Sequence, residues 1–220
     1  MPAVPQPPLR RGAGRRVAGP AYPAQVAQRQ APGDAPEEFV RALEQVHAAR
    51  VRPEIVLTEV APPARIAPYA VALTADVLGG PGREDDELAT GRFVLLHDPT
   101  VPEPWQGTFR AVTFARAELE PELGSDPMLG AVGWTWLTDA LAAHGAEHTA
   151  AGGTVTRVVS ESFAALADRP ASVEMEVRAS WTPVGADIAC HLEAWADLLC
   201  TVAGLPPLPE GVTALPHRRR

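Results

Sequence analysis

Segments of alternating hydrophobicity follow one another in this chain without a helix between each, and that order excludes most folds. Tyr69, Val71, Leu73, Ala75 and Val77 alternate with Ala70, Ala72, Thr74 and Asp76, which predicts a strand with one strongly apolar face. Arg92–His97 (RFVLLH) is apolar on both faces, the pattern of a strand central in a sheet. Thr108–Leu119 is a third long strand, and Glu54–Val60 is a short strand candidate ahead of them. Thr154–Phe163 and Ser172–Thr182 read as the arms of a hairpin around Asp168-Arg169-Pro170. In the second arm Val173, Met175, Val177, Ala179 and Trp181 face one way and Glu174, Glu176, Arg178, Ser180 and Thr182 the other. The register of the first arm stays open, because Val155, Val159 and Phe163 share a face with Arg157 and Glu161. Parallel neighbours need a crossover, usually a helix; strands in runs therefore predict an α+β fold. The expected sheet is mostly antiparallel, of about five strands, with helices packed on one face. The expected order is helix, three strands, helix, two strands, helix.

Three helices complete the pattern. Asp34 with Glu37 resembles a capping box ahead of Phe39, Leu43 and Val46, and Arg52-Pro53 stops that helix. Ser125–Gly145 (SDPMLGAVGWTWLTDALAAHG) opens on the cap residues Ser125, Asp126 and Pro127 and closes at a glycine. Leu129, Val132, Trp136, Ala140 and Ala143 form one stripe and Gly130, Trp134, Leu137 and Leu141 another, so this reads as the central core helix. On that reading Trp136→Ala is the costliest single substitution in it. A last helix starts at Asp187, buries Ile188, Leu192, Trp195, Leu199 and Val202, and stops at Gly204. The expected structural core is Leu129, Val132, Trp134, Trp136, Leu141, Trp181 and Trp195.

Charge divides the chain into parts. Residues 1–33 carry Arg10, Arg11, Arg15, Arg16 and Arg29 without an acid, and the chain ends on three arginines. Poor in large apolar side chains, 1–33 reads as a disordered, basic, Pro-rich extension. Residues 34–204 read as one acidic α+β domain and 205–220 as a Pro-rich tail. Setting the eight terminal arginines aside leaves 11 Arg against 27 acids, a net −16 that disfavours direct binding of nucleic acid by the folded domain. All 19 basic residues are Arg, and Asn is absent too, so a biased genome composition explains them and an Arg is weak evidence that a guanidinium was needed. Cys190 and Cys200, ten apart on one helix, read as free thiols of a reducing compartment. No apolar run is long enough to span a membrane, and residues 1–33 lack a signal-peptide core. The expectation is a cytoplasmic protein without a membrane partner.

No segment spells out a catalytic, metal or cofactor motif. His97-Asp98 at a strand end lacks further ligands at defined spacing, and His144 and His148 are separated by Gly145. Ser160-Glu161-Ser162 lacks the glycines of a nucleophile elbow, and Cys190 has Glu193 and Asp197 as helical neighbours, the wrong charge for a reactive thiolate. The one cluster with binding character is Arg110, Arg116, Arg157 and Arg178, spread over three strands, with Phe114 beside the first two. Those arginines either pair with Glu161, Glu174 and Glu176 across strands or present an anion-binding patch; pairing is the expectation.

Taken together, GRFVLLHDP, FARAELEPEL, VGWTWLTDAL, GTVTRVVSESFAALADRP and HLEAWADLLCTVAGLPPLPEGV resemble the actinobacterial family called domain of unknown function three thousand, over roughly residues 35–213. The resemblance implies no activity, cofactor or catalytic residue. Genes of that family often lie beside a ribonuclease-D-like exonuclease, which implies an indirect link to RNA processing. Three expectations follow. The first is a non-enzymatic protein-binding or accessory module that docks a partner or a second copy. The second is an enzyme with a dispersed site, drawing on His97, Glu118, Arg157 and Glu161. The third is an RNA-associated factor acting through the basic tails.

Overall fold

The computed structural model describes residues 35–79 and 86–207. The extension over 1–33, the acidic run after Gly80 in part, and the tail beyond residue 207 lie outside them. The elements run α1 (Glu37–Ala48), β1 (Ile55–Val60), β2 (Tyr69–Leu78), β3 (Glu87–His97), β4 (Phe109–Leu119), α2 (Leu129–Ala143), β5 (His148–Ser160), β6 (Ser172–Pro183) and α3 (Ala189–Val202). Four strands, not three, precede α2, because the short Ile55–Val60 segment is a full member of the sheet. Every pairing is antiparallel, in the spatial order β1-β2-β3-β4-β6-β5. The class is α+β, with one six-stranded sheet rather than about five strands.

One face of the sheet carries the core. Val71, Leu73, Ala75 and Val77 of β2, Phe93, Leu95 and His97 of β3, and Ala111 and Ala115 of β4 are buried there. So is the full set expected from β6, from Val173 to Trp181. All three helices contribute to the same apolar cluster. The helix that holds it together is α3, with nine buried residues including Leu192, Trp195 and Leu199. Gly91 lets it approach: a Cβ there would lie 2.7 Å from the Trp195 ring, 2.7 Å from the Phe114 carbonyl and 2.8 Å from Leu199. Across that close contact the Trp195 indole Nε1 donates to the Phe114 carbonyl at 3.2 Å.

The central-helix reading is corrected. In α2 only Leu129, Gly133, Leu137 and Leu141 are buried, a single narrow row; Val132, Trp134 and Trp136 are half-buried, and Gly130, Ala131 and Ala143 are exposed. The wide apolar circumference comes largely from Ala and Gly, which tolerate water at little cost. Its N-terminal end also differs from expectation, while its C-terminal end closes at the expected glycine. Met128 is the N-cap, and Asp126 helps one turn outside the helix by accepting the Met128 N–H at 2.8 Å. At the other end Gly145 (φ 60°) closes a Schellman motif: Ala146 N donates to Leu141 O at 2.8 Å and Gly145 N to Ala142 O at 3.0 Å. Gly204 (φ 73°) ends α3 in the same way. In α1 the N-cap is Pro36, with no side-chain cap.

The two-sided apolarity of RFVLLH has a local cause. Phe93 and Leu95 face the helices, while Val94 and Leu96 join Ala72 in a small second cluster on the other face, packed against Val60, Ala67 and Trp105. Beyond that cluster none of α1, α2 and α3 packs on the second face, since their buried hydrophobic residues all belong to the first cluster.

Candidate functional site

The strand registers align the uncovered face into transverse rows. Thr58 pairs with Thr74, Thr74 with Arg92, Arg92 with Phe114, Phe114 with Arg178, and Arg178 with Thr154. One row thus crosses all six strands with a phenyl ring between two guanidinium groups and threonines at its ends; it contains no carboxylate. The row on one side, Val60-Ala72-Val94-Val112-Ser180-Gly152, is uncharged. The row on the other side, Val56-Asp76-Thr90-Arg116-Glu176-Thr156, sets the carboxylates of Asp76 and Glu176 against the single guanidinium of Arg116. A shallow depression of about 690 Å³ follows the central and uncharged rows, with Arg92, Val94, Val112, Phe114 and Arg178 in its lining.

The arginines differ in how they are held. Arg178 lies over Phe114, its guanidinium carbon 5.4 Å from the ring centroid, while Nη2 donates to Glu176 at 2.8 Å. Arg116 donates to Glu174 at 2.6 Å, and that hydrogen bond raises its pKa. Arg110 has no carboxylate among its hydrogen-bond acceptors: it donates to the Ala150 carbonyl at 2.8 Å, to Ser180 Oγ at 2.6 Å and to Thr182 Oγ1 at 3.2 Å. Burial pulls its pKa down. Arg92 is exposed and, among the described residues, makes no ion pair. Pairing therefore accounts for Arg116 and Arg178 but not for Arg110 or Arg92.

The structure gathers Arg110, Phe114, Arg116 and Arg178 on one face and leaves out the rest. Arg157 pairs with Met175, on the helix side, and donates to the Asp126 carbonyl. Glu161 and Phe163 lie beyond the end of β5, both exposed. The dispersed quartet does not converge either, since Glu118 sits on the uncovered face and His97 on the opposite one. His97 is fully buried, its ring 4.5 Å from Phe109 and stacked on Phe39 at 5.8 Å, and burial lowers its pKa. Arg92 is the functional candidate missed in sequence; the clue was its parity with Val94 and Leu96 within RFVLLH.

Other polar side chains join elements together. His144 Nε2 lies 2.7 Å from Asp197 Oδ2 and its Nδ1 3.7 Å from Glu193 Oε2, and the bond to Asp197 raises its pKa. His148 Nδ1 instead meets the Ala146 carbonyl at 2.9 Å. Trp181 Nε1 donates to His191 Nδ1 at 3.1 Å; both rings are buried, and burial together with His148 brings the His191 pKa down to about 4. Burial raises the thiols, Cys190 to about 11 and Cys200 to about 12. No helix among the described residues is long and apolar enough to cross a membrane.

Comparison with known proteins gives one match. No curated protein and no solved structure matches the chain. A family model does, over residues 35–213, which spans the whole described fold and most of the chain. The chain therefore belongs to the family described as Protein of unknown function (DUF3000).

Proposed function

We propose that the protein is a non-enzymatic accessory module that binds a protein partner through the uncovered sheet face, receiving a partner carboxylate between Arg92 and Arg178. The observation that supports this reading is the Arg92–Phe114–Arg178 row: two guanidinium groups flank an aromatic ring, no acid lies in the row, and an apolar row runs beside it. Arg and aromatic residues are enriched at the anchors of protein interfaces. The net −16 of the chain outside its terminal arginines favours a basic or neutral partner surface. The row reverses that preference locally, because a charge contact is decided by the groups within a Debye length of it, about 8–10 Å. A partner segment with a carboxylate next to an apolar side chain matches both rows at once.

The test is affinity capture with the full chain, followed by binding measurements on the purified candidate. Arg92→Glu with Arg178→Glu should weaken that binding at least about tenfold, mainly through slower association, and remove its loss with added salt. Arg41→Glu, on exposed α1, should leave binding unchanged. Equal binding by the wild type and the double variant overturns the reading.

A further inference from the structure

We propose that the free edge of β5 pairs antiparallel with the β5 of a second copy of this chain, about a twofold axis that passes between the two Thr156 residues. This inference does not rest on the partner reading above.

The two edges of the sheet are treated differently. β1 has six residues, contains Glu59, and lies between Pro53 and Pro62-Pro63, all devices that discourage another strand from adding. β5 is the longest strand, 13 residues, without a proline, and its ionisable residues are His148 and Arg157. It is last in the sheet order, and among the described residues no strand pairs with its outer side. Alternate N–H and C=O groups along that side point outward, and an ordered strand satisfies them as a whole. Exposed apolar side chains accompany it: Val158 is 43% and Val159 49% exposed.

The sequence of the strand supports a copy of itself as the occupant. Pairing with β6 is irregular between Thr149 and Gly152, where Ala150 has φ 49°, and then unbroken from Gly152 to Ser160. That nine-residue run has Thr156 at its middle. Reversing a second copy about Thr156 sets the small end of the strand against the branched end. On the helix side Gly153 meets Val159 and Val155 meets Arg157; on the other side Gly152 meets Ser160, Thr154 meets Val158 and Thr156 meets itself. No like charges oppose each other, and Arg157 is already turned to Asp126 of its own chain. The Trp134 ring lies over Gly153, where a Cβ would come within 2.7 Å of it, so the partner's Val159 finds an indole instead of water. An axis normal to the sheet keeps both helix layers on one side and both Arg92–Phe114–Arg178 rows on the other, in one continuous sheet of twice six strands.

Light scattering on the full chain at micromolar to tens-of-micromolar concentration should give the mass of two chains. Opposed residues of an antiparallel pair have Cα atoms about 4.5–5.5 Å apart, within the roughly 4.4–6.8 Å that a disulfide spans. Thr156→Cys should therefore cross-link to a dimer on mild oxidation. Thr154→Cys should not, because its opposite is Val158; Thr154→Cys with Val158→Cys should. The wild type, which has Cys190 and Cys200, run alongside gives the background. All of these positions are exposed, so the fold tolerates the substitutions. A single-chain mass over this range overturns the proposal, as does cross-linking at position 154 equal to that at 156.

Discussion

Single residues set the sharpest constraints on this fold. Gly91 is one: a methyl group there would press on a strand carbonyl and on two core side chains of α3. Gly91→Ala should cost about 1–3 kcal/mol, read from denaturant melts. His191 is another. Its folded pKa, about 4, lies below the ordinary 6.5, so the neutral ring is the folded form. Its contribution is complete above pH 6.5 and is lost as the pH falls from 6.5 through 4, on the order of 3 kcal/mol. His191→Gln keeps an acceptor for the Trp181 indole and should flatten that acid limb. His144 acts in the opposite sense: its pKa is raised by Asp197, so its contribution is complete below pH 6.5 and is lost as the pH rises through the folded value. His144→Gln should therefore steepen the acid limb. Melts between pH 4 and pH 7.5 test both signs in one series.

At the scale of elements, burial reassigns importance from α2 to α3. Within α2, Leu137→Ala should cost about 2–5 kcal/mol and exceed Trp136→Ala, because Leu137 is 1% exposed and Trp136 is half-buried. Trp195→Ala in α3 should cost about 3–5 kcal/mol and exceed both Trp136→Ala and Trp134→Ala. How well each element could be read in the sequence follows from how it is buried. β6 is buried on one face only, so its alternation from Val173 to Trp181 gave its orientation directly. β5 is exposed on both sides, so no burial pattern fixed its register or its start, and Phe163 looked like a strand residue while standing 74% exposed outside it. The α2 stripes misled because Gly130 and Ala143 count as apolar yet sit in water. Of the candidate cluster, Arg110, Phe114 and Arg116 could be placed on one face from β4 alone. Arg178 joined them only through the β4–β6 register, a contact between strands far apart in the chain. Arg92 stayed hidden because Val94 and Leu96 beside it are covered by the Trp105 segment.

At the scale of the molecule, the sheet separates the face packed under α1, α2 and α3 from the face that carries the Arg92–Phe114–Arg178 row. The Trp195 indole, fully buried among the helices, hangs from the carbonyl of Phe114, whose ring lies in the outer row between Arg92 and Arg178. A partner pressing on that ring, as proposed, should shift the same peptide unit that the indole holds, and occupancy of the outer side should then carry an optical signature from within. Trp195 should change its near-ultraviolet dichroism when the row is filled, and Trp195→Phe should silence that signal. The sheet is one residue thick at this point, and its far side can be read by light.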